Sequence, residues 1–158
     1  MANAVNGAAE QPWAERCRRL EILARADREL LESVWASLGE PAAFRRLKQP
    51  ETGLVMLRAR AGGTGRQFNF GEMTLTRCVV ALEADGLMGV GYVPGRDTRK
   101  AELVALFDAL GQRAGFAERI EREIVQPVAQ ARADARRRRD AKVAATKVDF
   151  FTMVRGED

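Results

Sequence analysis

The stretch LEADGLMGVGYV (residues 82–93) constrains this chain more than any other. Asp85-Gly86 stands between two runs of strand-forming residues, and that dipeptide predicts a two-residue hairpin. The register it implies opposes Ala84 to Leu87, Leu82 to Gly89 and Val80 to Gly91. One face of the hairpin then carries Cys78, Val80 and Leu82 beside two bare glycines. The other face pairs Ala81 with Val90 and Val79 with Tyr92. Glycines on a strand face let another backbone or a large side chain approach closely. The next segment of the chain supplies one. In Pro94-Gly95-Arg96-Asp97 the aspartate is placed to cap a helix starting at Thr98, and Leu103, Leu106, Phe107 and Leu110 give that helix an apolar stripe. The helix is predicted to pack on the glycine-bearing face.

The remainder organises around this unit. Residues 1–11 read as a disordered tail, and residues 12–158 as one domain, an ordinary size for a single core. Two helices come first. One spans Trp13 to Ala24, with Trp13, Cys17, Leu20 and Ala24 on a stripe. The second is capped by Asp27, buries Leu31, Val34, Trp35 and Leu38, and ends at Gly39. Phe44 to Gln49 is a weak, arginine-rich edge-strand candidate. Leu54 to Ala61 is a stronger strand, apolar on Val55, Leu57, Ala59 and Ala61, and turning basic on its other face at Arg58 and Arg60. Thr74 to Glu83 follows. After the capped helix, Gly111 and Gly115 loosen the chain. A helical arm then runs from about 118 to 146, interrupted near Pro127 and rich in Ala and Arg. The terminal segment 148–156 is apolar, with Phe150, Phe151, Met153 and Val154 predicted to dock on the chain's own core or on a partner. The expected fold is α+β: an antiparallel sheet of about four strands, helices mainly on one face, two N-terminal helices and a long C-terminal helical arm.

Composition limits the chemistry. The chain has no histidine and only two serines, Ser33 and Ser37, both in a helical stretch. Neither a Ser-His-Asp nor a Cys-His hydrolase can be built from it. Cys17 and Cys78 are far apart, which argues against a disulfide scaffold and against a cysteine-clustered metal or iron–sulfur site; both read as small core residues. No metal ligand set and no catalytic residue is assigned. No apolar run reaches the roughly 18–20 residues that cross a bilayer, and the N-terminus lacks the pattern of a secretory signal, so a cytoplasmic protein is expected. The formal charge of +4 and pI near 9.6 suit an anionic partner.

The glycine-rich loop ARAGGTGRQF (59–68) invites comparison with phosphate-binding motifs. It matches neither standard form. No Lys-Ser/Thr pair follows the glycines, and Phe68 stands where a dinucleotide fingerprint has its last glycine. The loop joins strand to strand, so no helix N-terminus supplies an anion field. A nest of N–H groups in Gly62, Gly63, Thr64 and Gly65 is the remaining phosphate reading. Arg58, Arg60, Arg66 and Arg77 are expected to gather at one end of the sheet, with Arg96 beside them, facing either substrate anion or another subunit. Phe68 and Phe70 are expected to pin the loop to the core.

Three blocks carry a family resemblance: ETGLVMLRARAGGTGRQFNFGEMTLTR (51–77), GLMGVGYVPGRDTRKAELVALFDAL (86–110) and the ending KVDFFTMVRG. They resemble the PhnG family, subunits of the bacterial carbon–phosphorus lyase system. The resemblance implies action with PhnI, PhnH and PhnL in the first committed step of phosphonate breakdown, in which an alkylphosphonate displaces adenine from MgATP at the ribose anomeric carbon. It implies a core assembly with PhnH, PhnI and PhnJ, with PhnI catalysing the displacement. PhnJ cleaves the carbon–phosphorus bond later, with an iron–sulfur cluster and S-adenosylmethionine. No cofactor is expected on this chain alone, and the isolated chain is expected to be inactive and open to self-association. The competing reading, from charge alone, is a small nucleic-acid-binding domain.

Overall fold

The computed structural model describes residues 4–39, 42–61 and 64–146, with side chains from Pro12 onward. The element order is α1 (Ala4–Leu23), α2 (Arg28–Ser37), β1 (Phe44–Arg60), β2 (Gln67–Leu82), β3 (Met88–Pro94), α3 (Thr98–Leu110), α4 (Ala114–Ile120), a π-helical turn (Glu121–Val125) and α5 (Gln126–Ala145). The fold is α+β, with one antiparallel sheet in the order β1-β2-β3.

The sheet has three strands rather than about four, because both candidates before the glycine loop belong to the single strand β1. Pro50 does not divide it. The proline falls in an irregular stretch between the pairs Lys48↔Val79 and Glu51↔Arg77, on an edge strand where its missing N–H is not needed. Beyond it, Thr52 pairs with Thr76, and their hydroxyls hydrogen-bond at 3.0 Å.

The β2–β3 hairpin forms where Asp85-Gly86 predicts it, but with a longer loop. Leu82 and Leu87 close the ladder, the Leu82 N–H donating to the Leu87 carbonyl at 2.9 Å. The Gly86 N–H turns back to the Leu82 carbonyl, and Gly86 takes φ +72°, a left-handed conformation open to glycine. The observed register therefore pairs Val80 with Gly89, Cys78 with Gly91, Ala81 with Met88 and Val79 with Val90. This is two residues away from the two-residue-turn register. A shift of two leaves every side chain on its expected face.

Cys78, Val80 and Leu82 are buried on one side of the sheet, and α3 lies directly on the glycines. A Cβ at Gly89 would sit 1.9 Å from the Ala105 carbonyl oxygen, and one at Gly91 would sit 2.0 Å from that of Ala101. No side chain fits between. Asp97 caps α3, accepting the Lys100 N–H at 2.9 Å. The helix is enclosed beyond its expected stripe: every residue from Ala101 to Leu110 is buried. The sheet covers one side. Leu23 of α1, Leu31 and Val34 of α2, and Ile120, Ile124 and Val125 close the rest, with Trp35 edge-on to Phe107 at 6.0 Å.

Helix α1 begins at Ala4, not at Trp13, and carries Pro12 inside it. Its expected stripe packs against the core only in its second half, through Leu20 and Ala24. Trp13 is 63% exposed and Cys17 is exposed, while Leu20 and Leu23 turn inward. Cys17 is therefore a surface thiol rather than a core residue. Asp27 stands at the N-cap of α2 without a side-chain capping bond, and Gly39 takes φ +83° beyond its end. Near Pro127 the helix is irregular rather than broken. The π turn widens the ladder so that the Gln126 N–H donates to the Glu121 carbonyl, and Pro127 enters the first turn of α5, where a missing N–H costs little. No residue of α5 is buried. Phe150, Phe151, Met153 and Val154 lie outside the described residues, as do Gly62 and Gly63.

Candidate functional site

Strand β3 pairs with β2 only as far as Leu75↔Pro94. Past that point β1 and β2 continue alone as a two-stranded ribbon, from Leu54↔Thr74 to Arg60↔Gln67. Strand rise makes this extension roughly 20 Å long. The pairs Val55↔Met73, Leu57↔Gly71 and Ala59↔Phe68 put one set of side chains on a common face. A register shift between Leu57 and Arg58 leaves Phe70 without a partner across the ladder, and its ring meets that of Phe68 edge-on at 6.3 Å. The phenylalanines do not pin the loop to the core. Phe70 is 69% exposed, Phe68 is exposed, and their neighbours Val55 and Leu57 are exposed too.

Arg58, Arg60 and Arg66 share the ribbon tip; Arg58 and Arg60 stand on β1 and Arg66 in the loop just before β2. Gly65 closes the turn: its N–H donates to the Ala61 carbonyl at 3.2 Å, and its own carbonyl accepts from Arg60 Nη1 at 3.1 Å. The Gly65 N–H is thus directed into the loop, not outward as an anion nest requires. Thr64 is exposed beside it. Arg77 is not part of this tip. It lies opposite Glu51, roughly 30 Å down the strand by the same rise. There it is bound to Glu51, whose carboxyl Lys48 and Arg77 hold below its usual range. Arg96 lies at the other end of β3, in a turn stitched to β2 by the Gly95 N–H to Thr74 and by the Thr76 hydroxyl to the Gly95 carbonyl. The predicted arginine group is therefore split: three at the tip, Arg77 and Arg96 at the base. Among the described residues, Arg58, Arg60, Arg66 and Arg96 have no carboxylate in ion-pairing range.

Two functional-looking carboxylates are fixed in structural roles. Asp108 is fully buried on α3; it accepts Arg16 Nε at 2.9 Å, Arg16 Nη2 at 2.7 Å and the Val90 N–H at 2.9 Å. Glu102 is buried further along the same helix and binds Arg46 of β1 and Arg99 of α3. Arg46 and Arg99 line a cleft of about 370 Å³ with Gln49, Pro50, Thr98 and Glu102. Both guanidiniums in it are already neutralised, Arg99 also by Glu32. No sequence motif marks either carboxylate, because Arg46 is 56 residues from Glu102 and Arg16 is 92 from Asp108. The legible signal is an acid at 102 and another at 108 within the otherwise apolar run Ala101–Leu110. Glu72 sits on the ribbon opposite Met56, and Asp97 serves Lys100 and Arg28.

Cys78 lies under α3, and burial pushes its thiol up to about 11, so it stays protonated at neutral pH. With Cys17 on the outer side of α1, the two cannot ligate one ion. Among the described residues no group of three acidic or cysteine side chains is arranged to hold a metal, and no helix is long and apolar enough to cross a membrane.

An α+β body offering an apolar, arginine-tipped ribbon has the character of a binding subunit. Comparison with known proteins gives the family. Residues 14–156 match the family model described as phosphonate metabolism protein PhnG. The chain is also 44% identical, over 92% of its own length and 92% of the relative's, to the alpha-D-ribose 1-methylphosphonate 5-triphosphate synthase subunit PhnG of Rhizobium meliloti (strain 1021). This chain belongs to the PhnG family of phosphonate metabolism proteins. The nucleic-acid-binding alternative is not favoured by these relatives.

Proposed function

We propose that this chain is the PhnG subunit of an α-D-ribose 1-methylphosphonate 5-triphosphate synthase, and that its role there is accessory rather than catalytic. The observation that carries the reading is the 44% identity to a synthase subunit across 92% of both chains. Its partners in the displacement of adenine from MgATP by a phosphonate are PhnI, PhnH and PhnL, and it remains in a core assembly with PhnH, PhnI and PhnJ. The reaction is a glycosyl transfer, and PhnI supplies its chemistry. The iron–sulfur cluster and S-adenosylmethionine of the later bond cleavage belong to PhnJ; two cysteines as far apart as Cys17 and Cys78 do not fit such a cluster.

The disposition of charge supports the accessory role. The buried carboxylates are saturated by arginines, whereas the tip arginines are left to a partner surface or to the polyphosphate of the substrate. Arg96 serves the same end at the base of the ribbon, and Arg77, held by Glu51, does so as part of an ion pair that a partner surface would meet. The apolar residues of segment 148–156 dock on a partner subunit. The working compartment is the cytoplasm.

Reconstitution tests this. Purified chain with MgATP and methylphosphonate should release no adenine. PhnI with PhnH and PhnL should release adenine far faster with the chain than without it. Adenine release by the chain alone would sink the accessory role; release that is indifferent to its presence would sink membership in the synthase.

A further inference from the structure

We propose that the basic face of helix α5, formed by Arg132, Arg136, Arg138, Arg139 and Lys142, seats a helix of another synthase subunit whose carboxylates recur at three- and four-residue spacing. The proposal rests on the synthase-subunit reading above and assigns it a docking surface apart from the ribbon.

The net charge of the chain resides on this helix. α5 holds six basic residues and two acids, a net +4 that equals the formal charge of all 158 residues, so the rest of the chain balances to zero. The charge is also one-sided. At 3.6 residues per turn the basic residues named above fall within about half the circumference, and Asp134 and Asp140 fall in the other half with Arg137. Arg137 is paired with Asp134, and Arg136 reaches Asp140 at 3.8 Å. Arg132, Arg138, Arg139 and Lys142 meet no carboxylate in ion-pairing range among the described residues. The face therefore repels itself. Arg132 and Arg136 are like charges four residues apart, as are Arg138 and Lys142, and Arg139 stands three from both Arg136 and Lys142; such spacings weaken a helix. No packing offsets this. α5 touches the core through Val128 near its start, and every residue from Ala135 to Ala145 is exposed.

The arrangement selects the anion. The basic side chains recur every three or four residues, about 4.5–6 Å along the axis, and carboxylates three or four residues apart on a helix laid alongside recur at the same interval. Ala131 and Ala135 fall inside the basic arc, so such a helix can approach between the arginine stems. A second copy does not fit. α5 against α5 sets like charges together, which costs stability at an interface, and the remainder of the copy has no net negative charge. Nucleic acid fits less well than a protein helix. Its affinity grows with the number of phosphates neutralised, to which the balanced remainder of the chain adds nothing net. α5 also has no aromatic side chain to stack on a base.

The test uses the tagged full chain co-expressed with PhnI, PhnH and PhnL, with captured subunits quantified at rising salt. Wild type is compared with Arg139→Glu, at the centre of the basic face, and with Arg137→Glu, an equal change of charge on the opposite face. Each isolated chain is examined by circular dichroism on heating. Arg139→Glu should lower capture at least about tenfold. It should not lower helicity or the unfolding midpoint, because a glutamate between Arg136 and Lys142 replaces repulsion by attraction. Arg137→Glu should capture as wild type does. Wild-type capture should weaken as salt rises, and capture indifferent to salt would overturn the ionic basis. A carbodiimide, which joins an amine to a carboxylate in contact, should couple Lys142 to an acidic residue of a captured subunit; a captured complex without that link would overturn the acidic occupant. Capture by Arg139→Glu equal to wild type, or an equal loss in Arg137→Glu, would overturn the docking face while leaving the synthase reading standing. No capture by wild type would instead overturn the synthase reading itself. A lowered midpoint in Arg139→Glu with capture intact would put segment 147–158 of the same chain on the face and overturn the proposal in that way. Binding of a DNA duplex by wild type that Arg139→Glu abolishes, with capture intact, would make the occupant a nucleic acid and overturn it likewise.

Discussion

Asp108 on α3 takes three hydrogen bonds, two from Arg16 of α1 and one from the backbone N–H of Val90 on β3, and by them holds a helix, a strand and the central helix in one arrangement. The carboxylate side chain is wholly buried and its arginine largely so. Contact with Asp108 raises the Arg16 guanidinium above its ordinary range. Removing one partner of such a pair leaves a charge in the interior, at a cost of about 3–5 kcal/mol. Arg16→Met should therefore lower unfolding free energy by about that much in urea titration. Arg16→Met combined with Asp108→Leu should cost less than Arg16→Met alone. Additive losses would mean that the two side chains act separately.

The close approach of α3 to the sheet makes the glycine prediction steep. Gly89→Ala or Gly91→Ala places a methyl about 2 Å from a helix carbonyl, and relief requires the whole helix to move. Either variant should lose several kcal/mol, enough to unfold a domain of ordinary stability. Gly53→Ala, where an added Cβ meets nothing within 4 Å, should change stability by less than about 1 kcal/mol. Circular dichroism on heating distinguishes them.

The two thiols should separate cleanly. Cys17 is exposed, and native protein should be alkylated there at neutral pH. Cys78 should react only after denaturation, because it is buried and its thiol titrates near 11. The raised value also fixes the sign at alkaline pH. The folded state holds this proton more tightly than the unfolded chain, so the stabilisation is complete below the ordinary thiol value of 9.0 and is lost as pH climbs towards about 11. Cys78→Ala should flatten stability in that window.

At acid pH the sign reverses. Arg99 holds the Glu32 carboxyl below its ordinary 4.5. This contribution is present above 4.5 and disappears as pH falls through the lowered value. Because the pair is part-exposed, the effect is modest and screened by salt. Glu32→Gln should reduce the slope of stability against pH below 4.5, most visibly at low ionic strength.

Local signals foretell the parts of the fold that local chemistry decides. Asp97 caps the helix that begins beside it, and Gly89 with Gly91 marks where that helix lies. The Asp85-Gly86 turn is legible as a turn, but its length is not. Closure at Leu82 and Leu87 uses a backbone bond across the loop, which dipeptide identity does not specify. Phe44–Gln49 and Leu54–Ala61 read as two strands, yet they are one, because a proline between them is tolerated on an edge strand, and which strand is the edge is a property of the sheet. The arginines of the candidate site are visible as residues but not as a geometry. Alternation places Arg58 and Arg60 together, whereas the distance to Arg77 comes only from strand length and register. Glu102 and Asp108 stay hidden in the sequence because their partners come from distant segments. Cys17 reads as buried from its spacing, whereas α1 meets the core only from Leu20 onward and leaves Trp13 and Cys17 exposed.

From Ala101 to Leu110, α3 is enclosed on every side. The helix fills the volume between the sheet and the outer helices. Its interior is a keystone, shaped to be rigid. Substitutions within the enclosed helix should therefore be read through the protein's persistence rather than through its surface.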